Sequence, residues 1–283
     1  MKNILVPYDF SEQANHALNF ALQIAERSKG EVKIAHIIDY PTESALHIQG
    51  EISGSDPMEG IYVKRLIEST EKRLEQTINE QSTSVPLTYT IKLGNPFKTV
   101  AQEVEHQQND LVVMGTSGAA GLDEILVGSN TEKMVRYAKC PVITLSEECD
   151  MNIINDIAFA TNFEDEQDFI VRALGSYQEL FDAKLHLVWV NTLQVFQDDE
   201  IVKEKLAELA DNNGIRNYET HIFKALNPER GIMNFAESSN MDMIALATHG
   251  HRGLLHLFIG SIAENVVNHA HRPVWTLSVK AKP

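Results

Sequence analysis

Residues 110–118 read Asp-Leu-Val-Val-Met-Gly-Thr-Ser-Gly, and residues 242–250 read Asp-Met-Ile-Ala-Leu-Ala-Thr-His-Gly. Each stretch is a short apolar run that ends in small residues, and each is followed by a Gly-Ser pair and a Pro-Val pair. The shift between the two copies is 132 residues at every landmark, as in the pairs Asp110/Asp242, Gly128/Gly260 and Pro141/Pro273. Similarity at a constant shift indicates a duplicated structural unit.

The beginnings of the two halves also match, but at a different shift. Residues 4–11 align with residues 157–164, which is a shift of 153 residues. The difference of 21 residues predicts an insertion in the first half, and residues 40–60 are rich in Pro, Gly, Ser and Glu, as a surface insertion should be. We therefore predict two domains, at residues 1–148 and 152–283, with the insertion in the first.

Each half alternates short apolar runs with helical periodicity. In the first half we predict strands at residues 4–6, 32–38, 87–93, 111–114 and 142–145, and helices at 12–28, 62–80, 97–107 and 129–138. In the second half we predict strands at residues 156–160, 184–190, 218–223, 243–247 and 274–278. Apolar strands alternating with helices predict an α/β fold of two tandem doubly wound domains, each a parallel sheet covered on both faces.

Composition limits the classes of partner. The chain of 283 residues carries a formal charge of -16, and both halves are acidic. Nucleic acid and anionic membranes are therefore excluded as partners, because phosphate-rich surfaces require a basic face. Two cysteines, no signal-peptide pattern and no long apolar run lead us to expect a cytoplasmic protein.

The glycine-rich segments carry the candidate chemistry. Gly115 and Gly118 follow a strand, where ligands of parallel sheets bind. Gly128-Ser129 opens the next helix, whose unpaired N–H groups and dipole favour a phosphate. A plainer interpretation is that Ser129-x-x-Glu132 and Ser261-x-x-Glu264 are capping boxes that only begin their helices. No Gly-Lys-Ser/Thr phosphate loop and no nucleophile motif is present.

The spacing Gly-x2-Gly-x9-Gly-Ser, followed by Glu and by Pro-Val-x-x-Leu, resembles the nucleotide-binding signature of universal stress proteins. The start of the chain, Ile4-Leu-Val-Pro-Tyr-Asp9-Phe-Ser, resembles the first strand of that family and its acidic residue. The resemblance covers both halves and implies a tandem member. It also implies a Rossmann-like, adenine nucleotide alpha hydrolase-like fold of five parallel strands flanked by four helices, which binds ATP and often dimerises through its last strand.

The resemblance implies a nucleotide site in the first domain. Asp9 would contact the nucleoside, Ile37 would present its backbone to adenine, and Pro7 would shape the wall. The phosphate side would be formed by Met114, Gly115, Gly118, Gly128, Ser129 and Asn130. Asp9 could instead cap the helix entered at Ser11, and Ile37 and Met114 could be ordinary core residues.

A second site in the other domain would use Asn162, Val190, Gly250, Gly260 and Ser261. This half departs from the family pattern, because Asn162 replaces the acidic residue, Ala247 replaces the first glycine and Ala160 replaces the proline. Its loop favours phosphate in one respect, since it carries cationic or titratable side chains at His249, His251, Arg252 and His256.

The resulting hypothesis is a stress-response regulatory protein that binds an adenine nucleotide, ATP or AMP, with Mg²⁺, and has no catalytic residues. The alternative is a tandem scaffold without a nucleotide that acts through a regulatory protein partner. We expect the two domains to pair within the chain about a pseudo-twofold axis, and a homodimer is a further option. The histidines at 249–271 lack acidic or thiol partners at ligand spacing, so we predict no metal site.

Overall fold

The computed structural model describes residues 1–40, 57–116, 128–163, 167–248 and 259–281. The first repeat contains five strands and four helices: β1 (Asn3–Pro7), α1 (Glu12–Ser28), β2 (Glu31–Ile38), α2 (Pro57–Glu80), β3 (Leu87–Leu93), α3 (Pro96–Gln107), β4 (Leu111–Gly115), α4 (Ser129–Tyr137) and β5 (Val142–Leu145). A short 3-10 helix, Met151–Ile153, leads into the second repeat.

The second repeat has the same order of elements: β6 (Asp156–Ala160), α5 (Gln167–Phe181), β7 (Lys184–Asn191), α6 (Asp199–Asn212), β8 (Tyr218–Lys224), α7 (Pro228–Ser238), β9 (Met243–Thr248), α8 (Ile259–His269) and β10 (Val274–Ser278). The α/β class predicted from the sequence is confirmed. None of the helices in the described ranges is long and apolar enough to cross a membrane.

The ten strands of the described ranges form one sheet in the order β3-β2-β1-β4-β5-β10-β9-β6-β7-β8. Pairing is parallel within each repeat and antiparallel where β5 meets β10. Across this junction the Thr144 hydroxyl donates to the carbonyl of Val274 at 3.4 Å, and the Thr276 hydroxyl donates to that of Val142 at 3.3 Å. These pairs are related by the shift of 132 residues, so the last strands join the repeats about a pseudo-twofold axis.

The core lies on both faces of the sheet. Val6 belongs to the cluster on one face, which includes residues of α1, α2, α5 and α6, whereas Leu5 belongs to the cluster on the other face, which includes residues of α3, α4, α7 and α8. Both side chains are fully buried. Burial on both sides explains why the strands read as continuous apolar runs rather than as alternating ones.

The duplication extends to backbone conformation. Residues with left-handed φ angles occur in pairs at the two shifts found in the sequence: Phe10/Phe163, Lys29/Asp182 and Gln108/Asn240. Asn95 and Asn227 each cap the helix that follows, accepting from the N–H three residues later. Asp110 and Asp242 each accept two N–H groups at the start of the neighbouring first strand. The repeat is therefore preserved in turns and caps where side chains have diverged.

The helix that follows the start of the predicted insertion begins earlier than the sequence indicated. Helix α2 begins at Pro57, not near residue 62, so residues 57–60 are helical. Proline is favoured at a first helical position because its missing N–H has no partner there. Helix α2 has 24 residues and its counterpart α6 has 14, so part of the additional sequence lengthens a helix. Residues 41–56 of the insertion lie outside the described residues.

Candidate functional site

A cleft of about 240 Å³ opens at the carboxyl ends of β1 and β4. Strand β1 pairs with β2 on one side and with β4 on the other, so strand order reverses at this point. A crevice at such a switch point is where open α/β sheets bind ligands. The sheet therefore positions the cleft where the sequence placed the site.

Most residues predicted for the first site share this cleft. Its walls include Pro7, Asp9, Ile37, Met114, Gly115, Gly128 and Asn130. Ser129 is exposed at the first position of α4 and is not among the lining residues. Gly118 lies outside the described residues. Ile37 is half-buried, whereas Met114 is buried and also belongs to the core.

Other lining residues were missed from the sequence: Tyr8, Ser11, Ala14, Ala35, Pro96, Phe97, Val100, Thr131 and Met134. Two of them, Pro96 and Phe97, begin α3 directly after its cap Asn95. The Asn-Pro pair recurs at Asn227-Pro228, so the repeat indicated a shared turn at this position. It did not show that this turn faces the cleft.

The amino terminus of α4 forms one wall of the cleft. Gly128 is its N-cap and contributes no side-chain hydrogen bond, so the predicted capping box at Ser129 is wrong. The Thr131 hydroxyl donates to the carbonyl of Gly115 at 3.0 Å, and Gly128 N–H donates to that of Thr116 at 2.8 Å. Within the described residues, the N–H groups of Ser129 and Asn130 find no acceptor. They are therefore open to an anion.

Gly115 has a packing role as well as a place in the cleft. A Cβ atom there would lie 2.6 Å from the Cβ of Gln13, in the first turn of α1. Real Cβ atoms do not approach this closely, so the absence of a side chain lets α1 pack against the end of β4. From the sequence, this glycine was assigned only to the phosphate side of the site.

Asp9 lies on the cleft side of the turn between β1 and α1. Its Oδ1 accepts the N–H of Ser11 at 3.0 Å, and the Ser11 hydroxyl oxygen accepts the N–H of Ala14 at 3.1 Å. Ser11 is therefore the N-cap of α1, and the interpretation of Asp9 as the cap is wrong. The Asp9 side chain is held by a local turn and remains exposed.

An aromatic cluster packs around Phe10, the residue that follows Asp9 in this turn. Phe10 has a φ of 65°, and its ring lies 5.0 Å from that of His36. The Arg73 guanidinium lies 3.7 Å from the centroid of Phe10. Nδ1 of His36 is 2.8 Å from the carbonyl oxygen of Tyr8. Burial lowers the pKa of His36, so the ring is held neutral beside Arg73.

In the second repeat a buried glutamine lies at the equivalent position. Gln167 stands where Ala14 lines the first cleft, and it is buried. The Thr161 hydroxyl donates to Oε1 of Gln167 at 3.2 Å, and Nε2 of Gln167 donates to Oδ1 of Asn162 at 3.4 Å. Asn162, the predicted counterpart of Asp9, is therefore engaged by a protein side chain.

Further differences separate the second repeat from the first. Val190 packs against α7 so closely that a Cβ on Gly231 would lie 2.3 Å from its Cγ1. In α8, Ile262 and Ala263 replace the polar residues Asn130 and Thr131. Helix α8 begins at Ile259, so Gly260 and Ser261 are inside the helix and the second predicted capping box is also wrong. Gly250 lies outside the described residues, as does the side chain of Ser261.

Among the described residues, the cysteines and late histidines add no reactive group to this site. Cys140 is buried as predicted, and burial raises its pKa to about 12, which keeps it a thiol. His271 pairs with Glu147 at 2.9 Å on the surface, and His269 contacts the carbonyl of Asn265. His249, His251 and His256 lie outside the described residues.

Comparison with known proteins identifies the relatives of the chain. A model of the universal stress protein family matches residues 1–146 and 159–278. A curated Staphylococcus aureus (strain USA300) protein named for this family is 28% identical over 154 residues, covering 52% of this chain and 85% of its own length. A universal stress protein structure from Archaeoglobus fulgidus has a TM-score of 0.73 at 20% identity, over 98% of this chain and 96% of that one. A Pseudomonas aeruginosa structure named for the same family has a TM-score of 0.66 at 16% identity, over 98% and 93%. The structural likenesses show a shared fold.

Proposed function

The chain belongs to the universal stress protein family, and we propose that its first repeat binds an adenine nucleotide, ATP or AMP, in the cleft between β1 and β4. The observation that carries this proposal is the convergence of three features on one cleft. The open N–H groups of α4 lie on one wall, the Asp9 carboxylate lies on another, and apolar side chains line the space between them. This arrangement matches the phosphate, the ribose and the base of a nucleotide.

The apolar walls suit the base. Pro7, Ala35 and Ile37 come from the ends of β1 and β2 and offer flat contact area together with backbone groups at the strand ends. Asp9 lies next to them, where its carboxylate would accept hydrogen bonds from ribose hydroxyls. A carboxylate acceptor gives stronger hydrogen bonds than a neutral one.

The phosphates would lie at the start of α4. The N–H groups of Ser129 and Asn130 and the positive end of the helix dipole favour negative charge. The described part of the cleft contributes no Lys or Arg to its walls. A bound Mg²⁺ would offset the phosphate charge, and the oxygens of Ser129 and Asn130 are donors of the kind that Mg²⁺ prefers.

The proposal is limited to the first repeat. Gln167 occupies the position of Ala14 and engages Asn162, and the helix start in the second repeat presents Ile262 and Ala263. We therefore expect one nucleotide per chain. We propose binding without a dedicated catalytic step, because Asp9 is the sole carboxylate among the described lining residues and it holds the turn at Ser11.

Isothermal titration calorimetry with ATP and AMP, with and without Mg²⁺, tests this function. The test variant is Ala14→Gln, which gives the first cleft the residue of the second repeat. The matched control is Gln167→Ala. We expect one site per chain that is lost in Ala14→Gln and unchanged in Gln167→Ala. No binding of either nucleotide to the intact chain would overturn the proposal, and so would binding that is unaffected by Ala14→Gln.

A second candidate function is a nucleotide-independent protein scaffold, and exposed apolar residues on the second repeat favour it. Leu193, Phe196 and Leu226 are 90%, 71% and 79% exposed. The two segments that carry them are adjacent in space, because the N–H of Ala225 donates to the carbonyl of Asn191. If the protein is such a scaffold, a protein partner should bind it with an affinity that ATP does not change. Leu193→Ser and Phe196→Ser should each abolish that binding.

A further inference from the structure

A cluster of histidine and carboxylate side chains lies at the opposite end of the sheet from the cleft. His186 is on β7, and Glu219 and His221 are on the edge strand β8. The strand register pairs His186 with Glu219 and Val188 with His221, which brings the three side chains to one face of the sheet. This cluster is independent of the nucleotide site.

The three ligand atoms have the spacing of a metal centre. Nδ1 of His186 is 2.9 Å from Nε2 of His221, and Oε2 of Glu219 is 3.8 Å and 3.7 Å from these two nitrogens. Zinc binds nitrogen and oxygen at about 2.0–2.2 Å, so ligand atoms on a tetrahedral ion lie about 3.3 Å apart. The observed separations fall on both sides of this value.

Asp156 prepares His186 for this role. Its Oδ1 lies 2.7 Å from Nε2 of His186, which assigns the ring proton to Nε2 and leaves a lone pair on Nδ1. The carboxylate–histidine pair is the arrangement that orients metal-ligating histidines in proteins. In the absence of metal, Nδ1 accepts from the Nε2–H of His221, and metal binding would require His221 to carry its proton on Nδ1 instead.

Glu219 is held in a productive orientation and the centre is accessible. Lys184 donates to Oε1 of Glu219 at 2.8 Å, so Oε2 is the oxygen that faces the two rings. The His186 side chain is 8% exposed, whereas those of His221 and Glu219 are 29% and 51% exposed. An ion could therefore enter from solvent and keep water in its remaining position.

We propose that His186, Glu219 and His221 bind a divalent transition-metal ion, with Zn²⁺ as the matched ion, at the β7–β8 edge, and that Asp156 is a positioning residue for His186. Two imidazoles and one carboxylate are a donor set that Zn²⁺ accepts, with water in the fourth position. The site would fix the edge strand to its neighbour.

The test is a Zn²⁺ titration of chelator-treated full-length protein by competition with a chromophoric chelator. We expect one site per chain whose affinity falls at least tenfold in His221→Gln and in Glu219→Gln, both at partly exposed positions. Asp156→Asn should lower it by about 10–100-fold. Co²⁺ added in place of Zn²⁺ should give the visible absorption of a four-coordinate ion, and the bands should be lost in His221→Gln.

Two controls separate this cluster from other histidines. His271→Gln removes another histidine that pairs with a carboxylate, Glu147, and should leave the affinity unchanged. A variant with His249, His251 and His256 replaced by Gln should also retain the site. Absence of Zn²⁺ binding, or binding that survives both His221→Gln and Glu219→Gln, would overturn the proposal.

Discussion

Gly115 and Gly128 border the same cleft, but their missing side chains have different consequences. A Cβ on Gly115 would lie 2.6 Å from Gln13, whereas a Cβ on Gly128 would find its nearest neighbour, the carbonyl of Thr116, at 3.8 Å. The family resemblance implied the same role in phosphate binding for the two glycines. The structure shows that only Gly115 is required for packing, which depends on the approach of α1 and cannot be read from the spacing.

The two glycines give a prediction for stability. Gly115→Ala should lower the free energy of unfolding by about 1–3 kcal/mol, because α1 must move away from β4. Gly128→Ala should change it by less than about 1 kcal/mol. Chemical denaturation followed by circular dichroism measures both variants. Equal effects of the two substitutions would contradict the close packing of α1 against Gly115.

Asp9 gives a prediction for affinity. Asp9→Ala should weaken ATP and AMP binding by about tenfold or more, since a hydrogen bond to a charged group contributes about 1.5–3 kcal/mol. Asn162→Ala, the same change in the second repeat, should have no effect on affinity. Calorimetry on the two variants is the measurement, and equal losses in both would show that the second repeat also takes part.

At the scale of elements, the sequence predicted most strand positions to within one or two residues. Strands β3 and β5 occupy the predicted ranges because turn residues border both segments. Helix α2 was predicted too short, since Pro57 begins it inside a segment whose composition is that of a loop. The cluster on β7 and β8 was missed because His186 and His221 are distant in sequence and meet only through strand register.

Strand β2 carries a prediction for pH dependence. Burial lowers the pKa of His36 below its ordinary value of 6.5, with Arg73 adding to this effect and Asp9 and the Tyr8 carbonyl opposing it. The unfolded chain therefore binds a proton more readily than the folded chain. The stability linked to His36 is complete above the unfolded pKa and is lost as the pH falls through 6.5 towards the folded value.

Comparison of wild type with His36→Gln measures this contribution. The difference in their free energies of unfolding should be constant above about pH 7.5 and should change in favour of the variant at acidic pH. Urea denaturation at several pH values provides the data. A difference that does not vary between pH 5 and 8 would show that burial does not perturb this ring.

At the scale of the whole molecule, β5 and β10 turn two repeats into one sheet with two shared cores. Met151 N–H donates to Oε1 of Gln23 at 2.8 Å, and Arg136 of α4 pairs with Glu264 of α8. Both hydrophobic clusters contain residues from both repeats. The duplication and the internal pairing were predicted from the sequence, but the continuity of the cores depends on side-chain packing across the junction.

Continuous cores predict cooperative unfolding of the two repeats. Both tryptophans, Trp189 and Trp275, are in the second repeat, and Trp275 pairs with Ile143 of β5, so tryptophan fluorescence reports on that half and on its junction with the first. Ile34→Ala, at a fully buried position on β2 of the first repeat, should cost about 2–5 kcal/mol and shift the fluorescence transition. A fluorescence transition that stays in place while circular dichroism develops a second transition would show independent repeats.

The crystal structure of the full chain grown with ATP and Mg²⁺ would test the central claim most directly. We expect a single nucleotide per chain, with its base against Ile37, its ribose at Asp9 and its phosphates at the N–H groups of Ser129 and Asn130. Nucleotide bound only in the second repeat, or a first cleft that stays empty at saturating ATP, would contradict the account.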